Sequence, residues 1–188
     1  QAFATMTTDT LARDTGIANR VPYAMTSPNR VPKERYYDRG FFELEKQKLW
    51  HRTWQMACRL QEIPRANDYI EYEICEQSIL VVRQADHSIK AFFNVCPHRA
   101  TQMAKGSGTF PGGQITCPFH GWRWHSNGSS AFVFGREGFA PECMTPQEID
   151  LRECRVEVWG DSVWINMDPG AGPLLESLQP AAGLLEGV

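Results

Sequence analysis

The sequence predicts a mainly β domain of antiparallel strands, preceded by an extended arm and one helix. Three observations predict it. After Tyr69 the apolar residues recur with period two or in short β-branched runs. Short polar turns, Asp86-His87-Ser88 and Gly160-Asp161, join such runs in pairs, the mark of antiparallel hairpins. Helical spacing occurs once, just after Asp38.

Residues 1–35 are polar, carry Pro22, Pro28 and Pro32, and show no sustained period, so a mobile or extended arm is expected. Asp38 is placed to cap a helix in which Phe41, Leu44, Glu45, Lys48 and Leu49 share a face that Phe42 and Trp50 widen. The helix should end near Arg52, with His51 in a structural role, and a strand should follow through Trp54-Gln55-Met56-Ala57. Tyr69–Ile74, Ser78–Arg83 and Ile89–Val95 are the next strands, the last running into Cys96. Lys105–Gly113 has no helical pattern. Ile115-Thr116 and Trp122-Arg123-Trp124 flank a second short loop, and Ser126-Asn127-Gly128-Ser129 is a turn. Gly135, Gly138, Pro141 and Pro146 predict a loop from Ser130 to Glu148. Glu153–Trp159 and Ser162–Asn166 form a closing hairpin.

Composition narrows the function. The 188 residues suit one domain plus extensions, and 42% hydrophobic content is enough for a core. A formal charge of −3 gives no sign of nucleic-acid binding. No apolar run approaches the ~20 residues that cross a membrane. Residues 1–35 lack a basic start followed by an apolar block, so no signal peptide and a cytoplasmic location are expected. Cys58, Cys75, Cys143 and Cys154 have no compact disulfide spacing and are expected as buried small hydrophobes.

The chemistry lies between Cys96 and His120. Cys96-Pro97-His98 and Cys117-Pro118-Phe119-His120 each supply a thiolate and an imidazole at short range, with eighteen residues between the clusters. A Rieske [2Fe–2S] centre needs two Cys on one iron and two His on the other, so each loop must reach both irons. Pro97 and Pro118 stiffen the loops, and Gly121 permits a sharp turn. A structural zinc site also uses two Cys and two His. A zinc finger, however, sets its two His together on a helix, whereas here each His travels with a Cys.

Val95-Cys96-Pro97-His98-Arg99 and Ile115-Thr116-Cys117-Pro118-Phe119-His120-Gly121-Trp122 closely resemble the Rieske motif of ring-hydroxylating, non-haem iron oxygenases. The resemblance runs from about Tyr36 to about Pro173, so residues 36–173 are expected as the Rieske [2Fe–2S] domain and residues 174–188 as the start of a linker. The spacer is slightly longer than usual, and Ala100 stands where the family generally has Gly. The Rieske subunits of quinol–cytochrome c reductases tie their two loops with a disulfide. The corresponding positions here are Thr101 and Phe119, so the chain resembles the oxygenase or ferredoxin type. With Gly121-Trp122 in place of a Ser donor, a potential of about −150 mV is expected.

The resemblance implies that Cys96 and Cys117 hold an iron that stays ferric, and that His98 and His120 hold the iron that is reduced, nearer solvent. It implies an N-terminal Rieske domain of an α subunit that hydroxylates an aromatic or similar hydrocarbon with O₂. Electrons would come from a ferredoxin or flavin reductase. It further implies a homotrimer, in which the cluster faces the catalytic domain of a neighbouring subunit. That domain would carry mononuclear Fe(II) in a two-His, one-carboxylate site. All five His lie at 51, 87, 98, 120 and 125, so that site is not expected within this chain, nor is any catalytic residue. A free-standing Rieske ferredoxin and a structural zinc-binding module are the alternatives. Arg99 and Arg123, beside the expected cluster edge, either steer an acidic electron carrier or hold loop carbonyls.

Overall fold

The computed structural model of the protein describes residues 22–185. The chain divides between Leu49 and Trp50 into two compact units.

In the first unit, helix α1 spans Arg39–Glu45. Asp38 caps it as expected, its Oδ1 accepting the Phe41 N–H at 2.7 Å. Phe41 is buried, with the Tyr23 ring tilted against it at 6.1 Å and the Arg35 guanidinium over its face at 5.0 Å. The helix does not continue as an α-helix towards Arg52. Lys46–Trp50 form a π turn, whose wider winding shifts Leu49 and Trp50 off the α-helical stripe.

The second unit is antiparallel throughout. Its strands are β1 (Gln55–Arg59), β2 (Asp68–Ile74), β3 (Gln77–Arg83), β4 (Ile89–Phe93), β5 (Ser107–Thr109), β6 (Gln114–Thr116), β7 (Arg123–His125), β8 (Ser130–Phe132), β9 (Glu153–Trp159) and β10 (Ser162–Asn166). Seven of them form one sheet in the order β1-β10-β9-β4-β3-β2-β5, and β6-β7-β8 form a second. The hairpins expected around Asp86-His87-Ser88 and Gly160-Asp161 pair as β3–β4 and β9–β10.

Strand β3 explains why its sequence is continuously apolar. Ile79 and Val81 enter one core cluster and Leu80 and Val82 the other, so both faces of the strand are buried. β4 divides likewise, with Ala91 and Phe93 on one side and Phe92 on the other. The cluster holding Leu80, Val82 and Phe92 also takes Ile115 and Trp124 of the small sheet, together with Cys96 and Cys117. The two Cys therefore sit on the core that joins the sheets.

Three expectations need correction. Ser130–Glu148 is not all loop: Ser130–Phe132 completes the small sheet, and Pro146–Ile149 forms a short helix, α2. Within Lys105–Gly113, Ser107–Thr109 is a strand, pairing with β2 from Asp68↔Thr109 to Ile70↔Ser107. Cys143 is exposed and Cys75 partly so, whereas Cys58 and Cys154 are buried as expected, and none of the four forms a disulfide. Burial pushes the Cys58 and Cys154 thiols up to about 12, so both stay protonated and inert. Beyond β10, helices α3 (Leu174–Ser177) and α4 (Ala181–Leu185) follow, and the Glu157 carboxylate accepts the Leu174 N–H at 3.0 Å. No helix among the described residues is long and apolar enough to cross a membrane.

Candidate metal centre

Two loops carry the four candidate ligands. The first leaves β4 and the second joins β6 to β7. They share one backbone frame despite their different spacing. In the first, Cys96 N–H donates to Thr101 O at 2.9 Å and Ala100 N–H donates to Cys96 O at 2.9 Å. In the second, Cys117 N–H donates to Trp122 O at 2.8 Å and Gly121 N–H donates to Cys117 O at 3.0 Å. Each Cys is thus bonded to the residues four and five positions on. The fourth position is left-handed in both loops, with φ 54° at Ala100 and 70° at Gly121. The Gly-to-Ala departure therefore falls where the turn requires a positive φ, and the turn still forms.

The frames bring the thiols together and leave the imidazoles outward. Cys96 and Cys117 are each 2% exposed, whereas His98 and His120 are half-buried. Burial pushes the Cys96 thiol up; the backbone N–H groups of His98 and Arg99 pull against it, and neighbouring Cys117 adds to the rise. The His98 and His120 ring centroids are 4.8 Å apart. Burial, then His120, then the Arg99 charge hold His98 below its usual value, so it presents the neutral imidazole that ligates metals.

The arrangement fits a two-iron cluster, with two sulfurs at a closed inner end and two imidazoles at an open outer end. Among the described residues, no group of three or more His, Cys, Asp or Glu side chains is arranged to hold a single metal ion. His87 lies in the β3–β4 turn and His125 ends β7, exposed; His51 has a buried Nε2 without a partner among the described residues.

Sequence reasoning missed the network behind the first loop. Asn94 is buried; its Oδ1 accepts the N–H groups of Met103 and Ala104, and its Nδ2 donates to Ala104 O at 2.7 Å. The Glu71 carboxylate on β2 accepts Ser78 Oγ at 2.6 Å, Gly106 N–H at 2.8 Å, and the side-chain amides of Gln102 and Asn94. A polar residue after Phe92-Phe93 at a strand end was the available signal. Arg123 is half-buried, its guanidinium over the Phe132 ring at 4.6 Å across the β7–β8 pair, whereas Arg99 is exposed.

Residues 53–133 match the Rieske [2Fe-2S] domain family, and the match contains both loops. This chain carries a Rieske domain of the oxygenase α-subunit type. The carnitine monooxygenase oxygenase subunit of Escherichia coli (strain K12) is 35% identical over 148 residues, which is 79% of this chain and 39% of the subunit. A solved quaternary ammonium Rieske monooxygenase, whose study concerns carnitine oxidation and inter-subunit electron transfer, has a TM-score of 0.76 at 31% identity, covering 82% of this chain and 42% of that one. Naphthalene 1,2-dioxygenase bound to phenanthrene has a TM-score of 0.71 at 30% identity, covering 79% and 33%. The chain thus spans about two fifths of the curated relative's length. The Rieske fold expected from the motif, and its oxygenase type, are both borne out.

Proposed function

We propose that this domain passes single electrons into a terminal oxygenase, with Cys96 and Cys117 holding one iron of its cluster and His98 and His120 the other. The observation that carries the reading is the division of the four side chains into a buried thiol pair and a half-buried imidazole pair on two matching loops. When bound, the cluster supplies a reversible one-electron acceptor. The residues around it seal the thiol end inside the core and leave the imidazole end within reach of a partner.

The donor is a ferredoxin or flavin reductase, and the acceptor is mononuclear Fe(II) in the catalytic domain of a neighbouring subunit of a homotrimer. The substrate is an aromatic or similarly unreactive compound, bound by parts of the whole protein outside residues 1–188. Similarity to a monooxygenase whose study concerns inter-subunit electron transfer supports the arrangement. A cytoplasmic location agrees with cysteines that form no disulfide among the described residues.

Site-directed variants of the purified chain test the ligand set. His120→Ala should lose the iron and the visible bands, and His125→Ala should keep both. Iron retained by His120→Ala would remove His120 from the set. The chain should also be bleached reversibly by dithionite and yet form no product from an aromatic substrate, even with a competent reductase and iron(II). Hydroxylation coupled to NAD(P)H consumption by residues 1–188 alone would refute the assignment of oxygen chemistry to another part of the protein.

A further inference from the structure

Two loops that share a cluster must hold a fixed separation, and this chain has Thr101 and Phe119 where a disulfide would tie them. Another tie is present. Trp122 belongs to the second loop, since its carbonyl accepts the Cys117 N–H at 2.8 Å. Its indole lies flat on the His98 imidazole of the first loop, centroids 4.9 Å apart and planes within 3°. Phe139, from the segment after β8, closes the group edge-on, 5.8 Å from His98 at 83° and 5.6 Å from Trp122 at 81°.

The anchor of this group is rigid. Trp122 is 3% exposed and packs at 6.4 Å against Trp124, which is fully buried and donates its indole N–H to Ile149 O at 2.7 Å. A small movement of the indole would therefore disturb the core, whereas the His98 ring is half-buried and makes no such hydrogen bond among the described residues. His120 has a different neighbour: the Phe119 ring lies 3.9 Å away, and Phe119 is 56% exposed. One imidazole is held by the core, and the other is flanked by a side chain in solvent.

We propose that Trp122 is a positioning residue that clamps the first ligand loop to the second, fixing the ring plane of His98 while His120 stays adjustable. The inference rests on the ligand assignment above. Stacking of this kind is enough to bias a ring between orientations but not to hold the fold. Trp122→Leu should thus free the ring without removing the cluster, and Trp122→Phe, which keeps an aromatic face, should restore it.

The test uses the chain labelled with ¹⁵N-histidine, reduced with dithionite, and read by pulsed electron paramagnetic resonance, with iron content measured in parallel. The wild type should give two histidine nitrogen couplings. Trp122→Leu should shift or broaden one and leave the other, Trp122→Phe should return it to the wild-type value, and Phe139→Leu should shift the same coupling by less. Both couplings unchanged in Trp122→Leu, or both changed alike, would overturn the clamp. If Trp122→Leu fails to assemble a cluster, Phe139→Leu decides alone: a change confined to one coupling supports the clamp, and no change overturns it. A wild-type chain without iron or histidine coupling would instead overturn the ligand assignment, and the clamp with it.

Discussion

Ala100 and Gly121 occupy equivalent left-handed positions in the two ligand loops, yet only one of them is a glycine. A left-handed backbone costs an L-residue roughly 1–2 kcal/mol, part of which glycine's greater unfolded-state freedom cancels. Ala100→Gly should therefore stabilise the chain by about 0.5–1 kcal/mol, seen as a higher denaturation midpoint with iron content unchanged. A lower midpoint would mean that the Ala100 methyl makes a contact that outweighs the strain. Gly128 is a harder case. Its φ is +88°, and an added Cβ would lie 2.3 Å from Cε1 of the fully buried Phe92. Gly128→Ala should lose about 3 kcal/mol, from strain and overpacking together. Gly121→Ala, with nothing within 4 Å of the added carbon, should lose only the backbone share, about 1 kcal/mol. Equal losses at the two sites in chemical denaturation would contradict the packing account. At Glu71 the balance is electrostatic. Burial opposes its ionisation, but hydrogen bonds from Ser78, Gly106, Gln102 and Asn94 outweigh burial and hold the carboxyl below its usual value. A carboxyl depressed on folding adds stability that is full above its unfolded pKa and is lost as pH falls through the folded one. The stability gap between wild type and Glu71→Gln should therefore shrink as pH is lowered below the normal carboxylate range. A gap constant across that range, measured by denaturation at a series of pH values, would show that Glu71 acts through shape alone.

At the scale of elements, legibility followed locality. β3 could be read from Ile79-Leu80-Val81-Val82 because burial on both faces leaves a continuous apolar run. Asp38 marked the start of α1 because capping is a contact across three residues. β5 could not be read: Ser107-Gly108-Thr109 is exposed and has no strand composition of its own. It becomes a strand only because the distant edge of β2 is there to pair with it, Tyr69 opposite Gly108. β8 forms in the same way, on the edge that β7 offers. The two loops carrying the candidate ligands were legible because Cys and His spacing is itself local. The network joining Glu71, Ser78, Asn94, Gln102 and Gly106 was not, since its members meet only after three strands have assembled.

At the scale of the whole molecule, the fold places two Cys on the core shared by the two sheets and turns two His outward from it. That polarity is what an electron-entry domain requires, with an inner end closed to water and an outer end open to a partner. The curated relative extends well beyond the length matched here. The central claim is that the two loops hold a two-iron cluster. Metal and acid-labile sulfide analysis of the chain, purified without chelators, tests it most directly. The account predicts a red-brown protein with about two irons and two sulfides per chain. A colourless protein with one zinc per chain and no sulfide would contradict it.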